Sequence, residues 1–378
     1  MDIRLATRGS ELAVRQAGTV KDRLSNRRRS VELVEVETKG DQIQDELLHR
    51  LGKTGAFVRT LDEQVLAGEL DAAVHSMKDM PTEFPENLVV GAVLERGPAG
   101  DVLVTPDGAS FDELPDGATI GTGSLRRTAQ LNAQRDDVNV EPIRGNVDTR
   151  IEKLLAPSLQ REHERRVEKV ENGELGQGAV DEWFEDRSPI EQRALERDVD
   201  TEYDALVMAE AGLERSGLLH HVAFGRFDPE RFVPAAGQGA IAVTAPDGEM
   251  AELLTDIDHP RTRVETTVER TILAELNGGC IAPIGVYAVV RGQYVHTVAR
   301  VLSVDGEESI QTSRDIPIAT HGRGAVRLAE ELIDRGADEL VEDASAKPED
   351  GCSQTQAARA PRTPQRAALP TEPGSMRS

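Results

Sequence analysis

Lys78 and Asp79 stand side by side in His75-Ser76-Met77-Lys78-Asp79-Met80-Pro81. The apolar run Ala72-Ala73-Val74 precedes them and reads as a buried strand. Pro81 then stops regular structure. An ammonium and a carboxylate therefore meet at a strand's end, where open α/β sheets bind their ligands. A carboxylate held there can stabilise a developing cation. The bland alternative is an exposed loop with two solvated charges, and the rest of the chain decides between them.

Three further strand ends lead into turns rich in Arg, Ser, Thr and Gly. They are Thr7-Arg8-Gly9-Ser10, Gly121-Thr122-Gly123-Ser124-Leu125-Arg126-Arg127 and Arg144-Gly145-Asn146-Val147-Asp148-Thr149-Arg150. Each opens a helix, whose first N–H groups and positive dipole end favour an anion. Arginine adds bidentate binding of carboxylate or phosphate. Taken singly, a Ser or Thr before a helix is a cap and paired arginines are a solvated face. Three such turns in one α/β array point to a ligand with several negative charges.

Asn277-Gly278-Gly279-Cys280-Ile281-Ala282-Pro283 follows a helix at 261–276. The glycines suit a left-handed helix end, which puts Cys280 on a loop. A loop thiol near basic groups can act as a nucleophile, and an inert half-buried thiol is the alternative. Cys352 lies near the C-terminus and reads as incidental. Two cysteines make no disulfide framework, and no Cys/His set has zinc spacing.

The elements that position these groups alternate. Strands are expected at 3–7, 31–38, 72–75 and 89–94, with helices at 10–24 and 57–67. A second α/β run has strands at 102–104, 118–121, 138–143 and 204–209 and helices at 125–135, 147–155 and 210–216. Residues 237–245 form another strand that can return to the first domain. Strands at 285–290 and 294–302 and a helix at 321–335 make a small α+β domain. The fold class expected is α/β, with mostly parallel sheets flanked by helices. Domain 1 is expected at 1–97 and 236–256, and domain 2 at 98–235 with an acidic surface insertion at 158–200. Domain 3 is expected at 257–341, followed by a disordered tail at 342–378.

The 378 residues carry a formal net charge of -24, and only seven of the 44 basic residues are Lys. That balance resembles proteins of salt-loving archaea, whose carboxylate surfaces maintain solubility. No basic face with interleaved aromatics exists, which argues against nucleic acid. No apolar run is long enough to span a membrane, and the N-terminus lacks a signal peptide's apolar core. A cytoplasmic monomer is expected.

With Asp79, the Arg turns and Gly278-Gly279-Cys280 in hand, the chain resembles the porphobilinogen deaminase (hydroxymethylbilane synthase) family. The motifs named above and Pro234-Ala235-Ala236-Gly237-Gln238-Gly239-Ala240 occur in the family's order. The likeness runs from residue 3 to about 155 and from about 201 to 340. It implies three domains, the first two with mixed sheets and flanking helices, built like a periplasmic-type binding protein around a cleft. It implies a dipyrromethane cofactor joined to Cys280 by a thioether, and no metal. It implies four head-to-tail condensations of porphobilinogen, each releasing ammonia, and hydrolysis to hydroxymethylbilane. Asp79 matches the catalytic aspartate. Arg8, Ser10, Lys78, Thr122, Ser124, Arg126, Arg127, Arg144, Arg150 and Arg215 match groups that bind the carboxylates of cofactor and substrate.

Two departures stand out. Gly52-Lys53-Thr54-Gly55-Ala56-Phe57 places its lysine one residue earlier than the family's Gly-Gly-Lys-Gly-x-Phe, and Gly123 replaces a frequent serine. Three other readings compete. A solute-binding protein shares the cleft but needs no loop cysteine. A dinucleotide-binding enzyme needs a third glycine that Gly121-Thr122-Gly123 lacks. An interaction scaffold explains the acidic insertion and tail but not the Arg-lined strand ends.

Overall fold

The computed structural model describes residues 1–36, 56–277 and 282–346. The chain enters β1 (Asp2–Arg8), whose Ile3 and Leu5 pack into one core while Ala6 packs into another. Both faces are covered, as parallel strands require. Ser10 caps the helix Glu11–Leu24, accepting from the Ala13 N–H at 3.4 Å. Ala17, Val20 and Leu24 form that helix's buried stripe. Next come β2 (Ser30–Val36), the helix Ala56–Leu66, β3 (Ala72–Ser76) and β4 (Leu88–Val93).

The chain then crosses to β5 (Asp101–Thr105), β6 (Thr119–Gly121) and β7 (Asn139–Glu141). After a helical stretch follow β8 (Ala205–Ala209) and β9 (Ala223–Arg226), and a second crossing returns to β10 (Ile241–Pro246). The two sheets share one plan. Their orders are β2-β1-β3-β10-β4 and β7-β6-β8-β5-β9. Each has three parallel strands, then an antiparallel strand delivered by a crossing, then an edge strand. The sheets are thus mixed, because each crossing strand enters from the opposite direction. This is the two-lobed α/β arrangement that the resemblance implies.

Gly237 and Gly239 explain why the return crossing needs glycine. Both have positive φ, +74° and +85°. A Cβ on Gly239 would meet the Gly97 and Pro98 carbonyls of the first crossing at 2.7 Å, and one on Gly237 would meet Met77 at the same distance. The two crossings therefore pack backbone against backbone.

The third domain has the helix Pro260–Glu275 and an antiparallel sheet of β11 (Ile284–Arg291), β12 (Tyr294–Leu302) and β13 (Ser309–Pro317). Helices His321–Ile333 and Ala337–Ala346 complete it.

Two expectations need correction. The helix expected at 147–155 runs over Val147–Glu171, through Pro157, and the region 158–200 is not merely a surface excursion. Proline forfeits the bond to the Lys153 carbonyl, yet packing outweighs that loss. Ile190 joins Ile151 and Leu154 in one core, and buried Glu152 binds Arg193 at 2.7 Å and Arg197 at 2.5 Å. The guanidiniums of Arg166 and Arg187 lie 5.3 and 5.4 Å from the Trp183 ring centroid. The tail is expected from 342, but residues 342–346 belong to a helix. The helix Ala337–Ala346 buries Leu340, Val341 and Ala344 against the third domain. Residues 347–378 lie outside the described residues.

Candidate active site

Strand β3 ends in a single 3₁₀ turn, Met77–Asp79. Met77 and Met80 are each 2% exposed. Residues three apart eclipse in such a turn. Anchoring those two inward therefore turns Asp79 outward, where it is exposed, with Lys78 half-buried beside it. The Met77 N–H donates to the Ala240 carbonyl at 3.1 Å, so the turn hangs from the return crossing.

Across that crossing, the helix Leu125–Gln134 brings in Arg126 and Arg127, both buried. Their partner is Asp101, the first residue of β5, which is fully buried. Arg126 Nη2 donates to Asp101 Oδ2 at 2.8 Å and Arg127 Nη2 to Oδ1 at 2.8 Å. Arg126 Nη1 and Arg127 Nη1 take the Val233 and Val207 carbonyls at 2.6 and 3.2 Å. Gln238 Nε2 adds a third donor to Asp101, at 2.9 Å. Burial raises the Asp101 carboxyl, but the two guanidiniums overcome it and hold the group down at about 2. Burial lowers the Lys78 ammonium, Asp79 opposes that, and Arg127 lowers it further. Burial, with the Arg127 charge adding to it, brings Arg150 down to about 10.

Arg126 and Arg127 thus share Asp101, Lys78 lies within electrostatic reach of both and of Asp79, and Arg150 within reach of Arg127. Arg126 Nε is buried with no hydrogen-bond partner. Ser124 opens its helix without giving its hydroxyl to a cap bond, and Asn146 does the same at the helix Val147–Glu171. A surplus of buried positive charge, an orphaned N–H and a spare hydroxyl suit a ligand with several carboxylates.

Other expected residues fall differently. Ser10 caps its own helix. Buried Thr122 turns its Oγ1 back to the Ser124 N–H at 3.4 Å and so shapes the loop. Arg215 lies at the two crossings, donating Nη2 to the Gly239 carbonyl at 2.6 Å and packing against Gly97. Arg8 and Arg144 are both half-buried on their strand-end turns. The Arg150 Nε–H holds the Gly145 carbonyl at 2.8 Å. A Cβ on Gly123 would lie 3.1 Å from the Ile143 carbonyl, so the family's serine would need that backbone to give way slightly. Cys280 and Lys53 lie outside the described residues.

Sequence reasoning missed Asp101, Gln238 and Glu269. Glu269 is fully buried, accepts from the Gly237 and Ala288 N–H groups at 2.7 Å each, and pairs with Arg96 at 2.8 Å. Its signal was available: Glu265 and Glu269 sit four apart on the face that carries Val268 and Ile272.

Two family models match the chain. "Porphobilinogen deaminase, dipyromethane cofactor binding domain" covers residues 3–161 and 185–252, and "Porphobilinogen deaminase, C-terminal domain" covers 264–334. The chain belongs to the porphobilinogen deaminase family. A probable porphobilinogen deaminase of Halobacterium salinarum is 51% identical, with 90% of this chain and 98% of that protein aligned. A probable porphobilinogen deaminase of Methanococcoides burtonii is 39% identical over 90% of this chain and 96% of its own length. The porphobilinogen deaminase of Campylobacter hominis is 36% identical over 90% and 97%. The family is one of transferases in tetrapyrrole synthesis that carry a dipyrromethane cofactor. The segment outside its pattern narrows from the expected 158–200 to 162–184. That agrees with the packing of Ile190 and Ala194 into domain 2. No described helix is long and apolar enough to cross a membrane.

Proposed function

We propose that this porphobilinogen deaminase works through Asp79, with Cys280 as the thioether anchor of its cofactor. The observation that carries the reading is the excess of cations around Asp101 beside the exposed Asp79 carboxylate. The dipyrromethane, when bound, would supply the free pyrrole carbon at which the first porphobilinogen is joined, each later one joining the ring added before it. Arg126, Arg127, Arg150 and Lys78 supply the positive field for its carboxylates. Ser124, Arg8 and Arg144 add donors from the surrounding turns, and the Ser10 hydroxyl keeps its proton for an acceptor while capping. Thr122, in its loop, and Arg215, at the crossings, complete the set that binds these carboxylates.

Each porphobilinogen must lose its aminomethyl nitrogen as ammonia. The carbon–nitrogen bond breaks once the amine is protonated, and the pyrrole is left cationic. Asp79 stabilises that cation and holds pyrrole N–H groups. It also assists the proton's passage to the leaving amine. A carbon–carbon bond then forms, and the attacked ring carbon gives up its proton. After four additions, water releases hydroxymethylbilane. The reading takes the protein as a cytoplasmic monomer.

Intact mass tests this. Protein made where porphobilinogen is available should carry two porphobilinogen-derived pyrrole units, and Cys280→Ser protein should carry none. An unmodified mass in both would take the anchoring role away from Cys280.

The acidic surface sets a second expectation, that the enzyme is halophilic. A charge of -24 repels itself at low salt. The screening length is roughly 3 Å at 1 M salt, so surface repulsion fades while direct contacts in a cleft survive. Activity should rise with KCl. Higher activity at low salt, in protein shown by circular dichroism to stay folded, would refute it.

A further inference from the structure

The turn that carries Asp79 is held from outside its own domain. Arg270, on the helix Pro260–Glu275 of the third domain, reaches it with both terminal nitrogens. Nη1 donates to the Met77 carbonyl at 3.4 Å and to the Met80 carbonyl at 3.3 Å. Nη2 donates to the Pro81 carbonyl. The guanidinium also lies 5.6 Å from the ring centroid of Phe84, just past the turn. The three carbonyls bracket Asp79 on both sides. One planar, charged fork therefore sets the orientation of the peptides between which the aspartate is suspended.

The same helix is fixed at its neighbouring residue. Glu269 is locked by Arg96 of the first crossing and by the N–H of Gly237 in the second. Arg270 is thus mounted on a helix that cannot slide without breaking a buried ion pair. Five residues on, at about 1.5 Å of rise each, the helix ends at Glu275. Asn277 then turns into the left-handed region, φ 50°, and the chain goes on to Gly278-Gly279-Cys280. One rigid element runs from the Asp79 turn toward the segment of sequence that bears the cysteine.

The geometry points to Arg270 as a positioning residue: it fixes the Asp79 turn relative to the helix that leads to Cys280, and so aims the carboxylate at the reacting carbon. This rests on the role proposed above for Asp79. A guanidinium that merely glued two domains together would affect stability alone. One that aims Asp79 affects the chemical step, and only while Asp79 is there to be aimed. A carboxylate misplaced by about 1 Å costs roughly 100-fold in rate.

The test is a double-substitution cycle in the cofactor-loaded protein, with loading read by intact mass. Arg270→Gln should lower kcat roughly 10- to 100-fold with KM changed less than about twofold and the cofactor mass retained. In an Asp79→Glu background, which keeps a charge but displaces it, the same change should cost less than about threefold. Arg270→Lys should recover part of kcat, because an ammonium reaches some of the carbonyls without the fork. Unchanged kcat in Arg270→Gln, or an equal loss in both backgrounds, overturns the inference. If the glutamine chain fails to fold or load, the cycle runs on Arg270→Lys and is judged by the same coupling. Should Asp79→Glu itself match the parent enzyme, the role of Asp79 falls first. An impaired Asp79→Glu with no coupling sinks the positioning role alone.

Discussion

Asp79→Asn is expected to lower kcat about 10²- to 10⁴-fold while the protein stays folded and keeps its cofactor mass. The range is that of losing a fixed charge facing a developing cation, with the loss of a proton-transfer partner added. Asparagine preserves the shape of the turn, because Met77 and Met80 anchor it and Arg270 holds its backbone carbonyls. Asp79 is exposed, so no buried network collapses with its charge. Lys78 then stands without its nearest opposing charge, and its ammonium falls further below the ordinary lysine value. Single-turnover ammonia release reads the chemical step directly, apart from product hydrolysis. Release within threefold of the parent rate would take the reacting centre away from Asp79.

How much of this was readable in advance depends on how far apart in the chain the cooperating residues lie. The Lys78-Asp79 turn was legible because an apolar strand and Pro81 bracket it within ten residues. The capping role of Ser10 and the loop at 121–127 were equally local. Asp101 was not legible as their organiser. It precedes Arg126 by 25 residues and meets it only because β5 enters the second sheet between β8 and β9. The Arg270 clamp spans 189 to 193 residues and involves backbone carbonyls, which carry no sequence signal. The long helix was cut short on paper because Pro157 and dense charge mimic a boundary. Burial of Ile151, Leu154 and Ile190, a tertiary effect, overrides that local rule. Strand β13 was missed for the opposite reason. It is a mostly exposed edge strand whose apolar residues reduce to Ile310 and Ile316.

The second large effect is structural and centres on Asp101→Asn, which should destabilise the protein by about 3–5 kcal/mol. The substitution leaves shape and most contacts in place but removes the charge that two buried guanidiniums share. Arg126, Arg127 and Lys78 then repel one another without the buried carboxylate that opposes them. Denaturant unfolding in concentrated KCl, applied to both proteins, measures the difference. A loss under about 1 kcal/mol would show that solvent already compensates these cations. The pH dependence follows from the carboxyl held at about 2 against its ordinary 3.8. Because the folded value is depressed, the stabilisation is complete above about pH 4 and is lost as pH falls toward 2. It is worth about 2 kcal/mol, and the difference between parent and variant should shrink across that window. The same logic yields a positive result. A site robbed of its carboxylate should welcome another, so porphobilinogen or a small dicarboxylate should raise the variant's unfolding midpoint more than the parent's. That response would place the ligand's carboxylates against Arg126 and Arg127, whereas equal shifts in both proteins would place them elsewhere in the cleft.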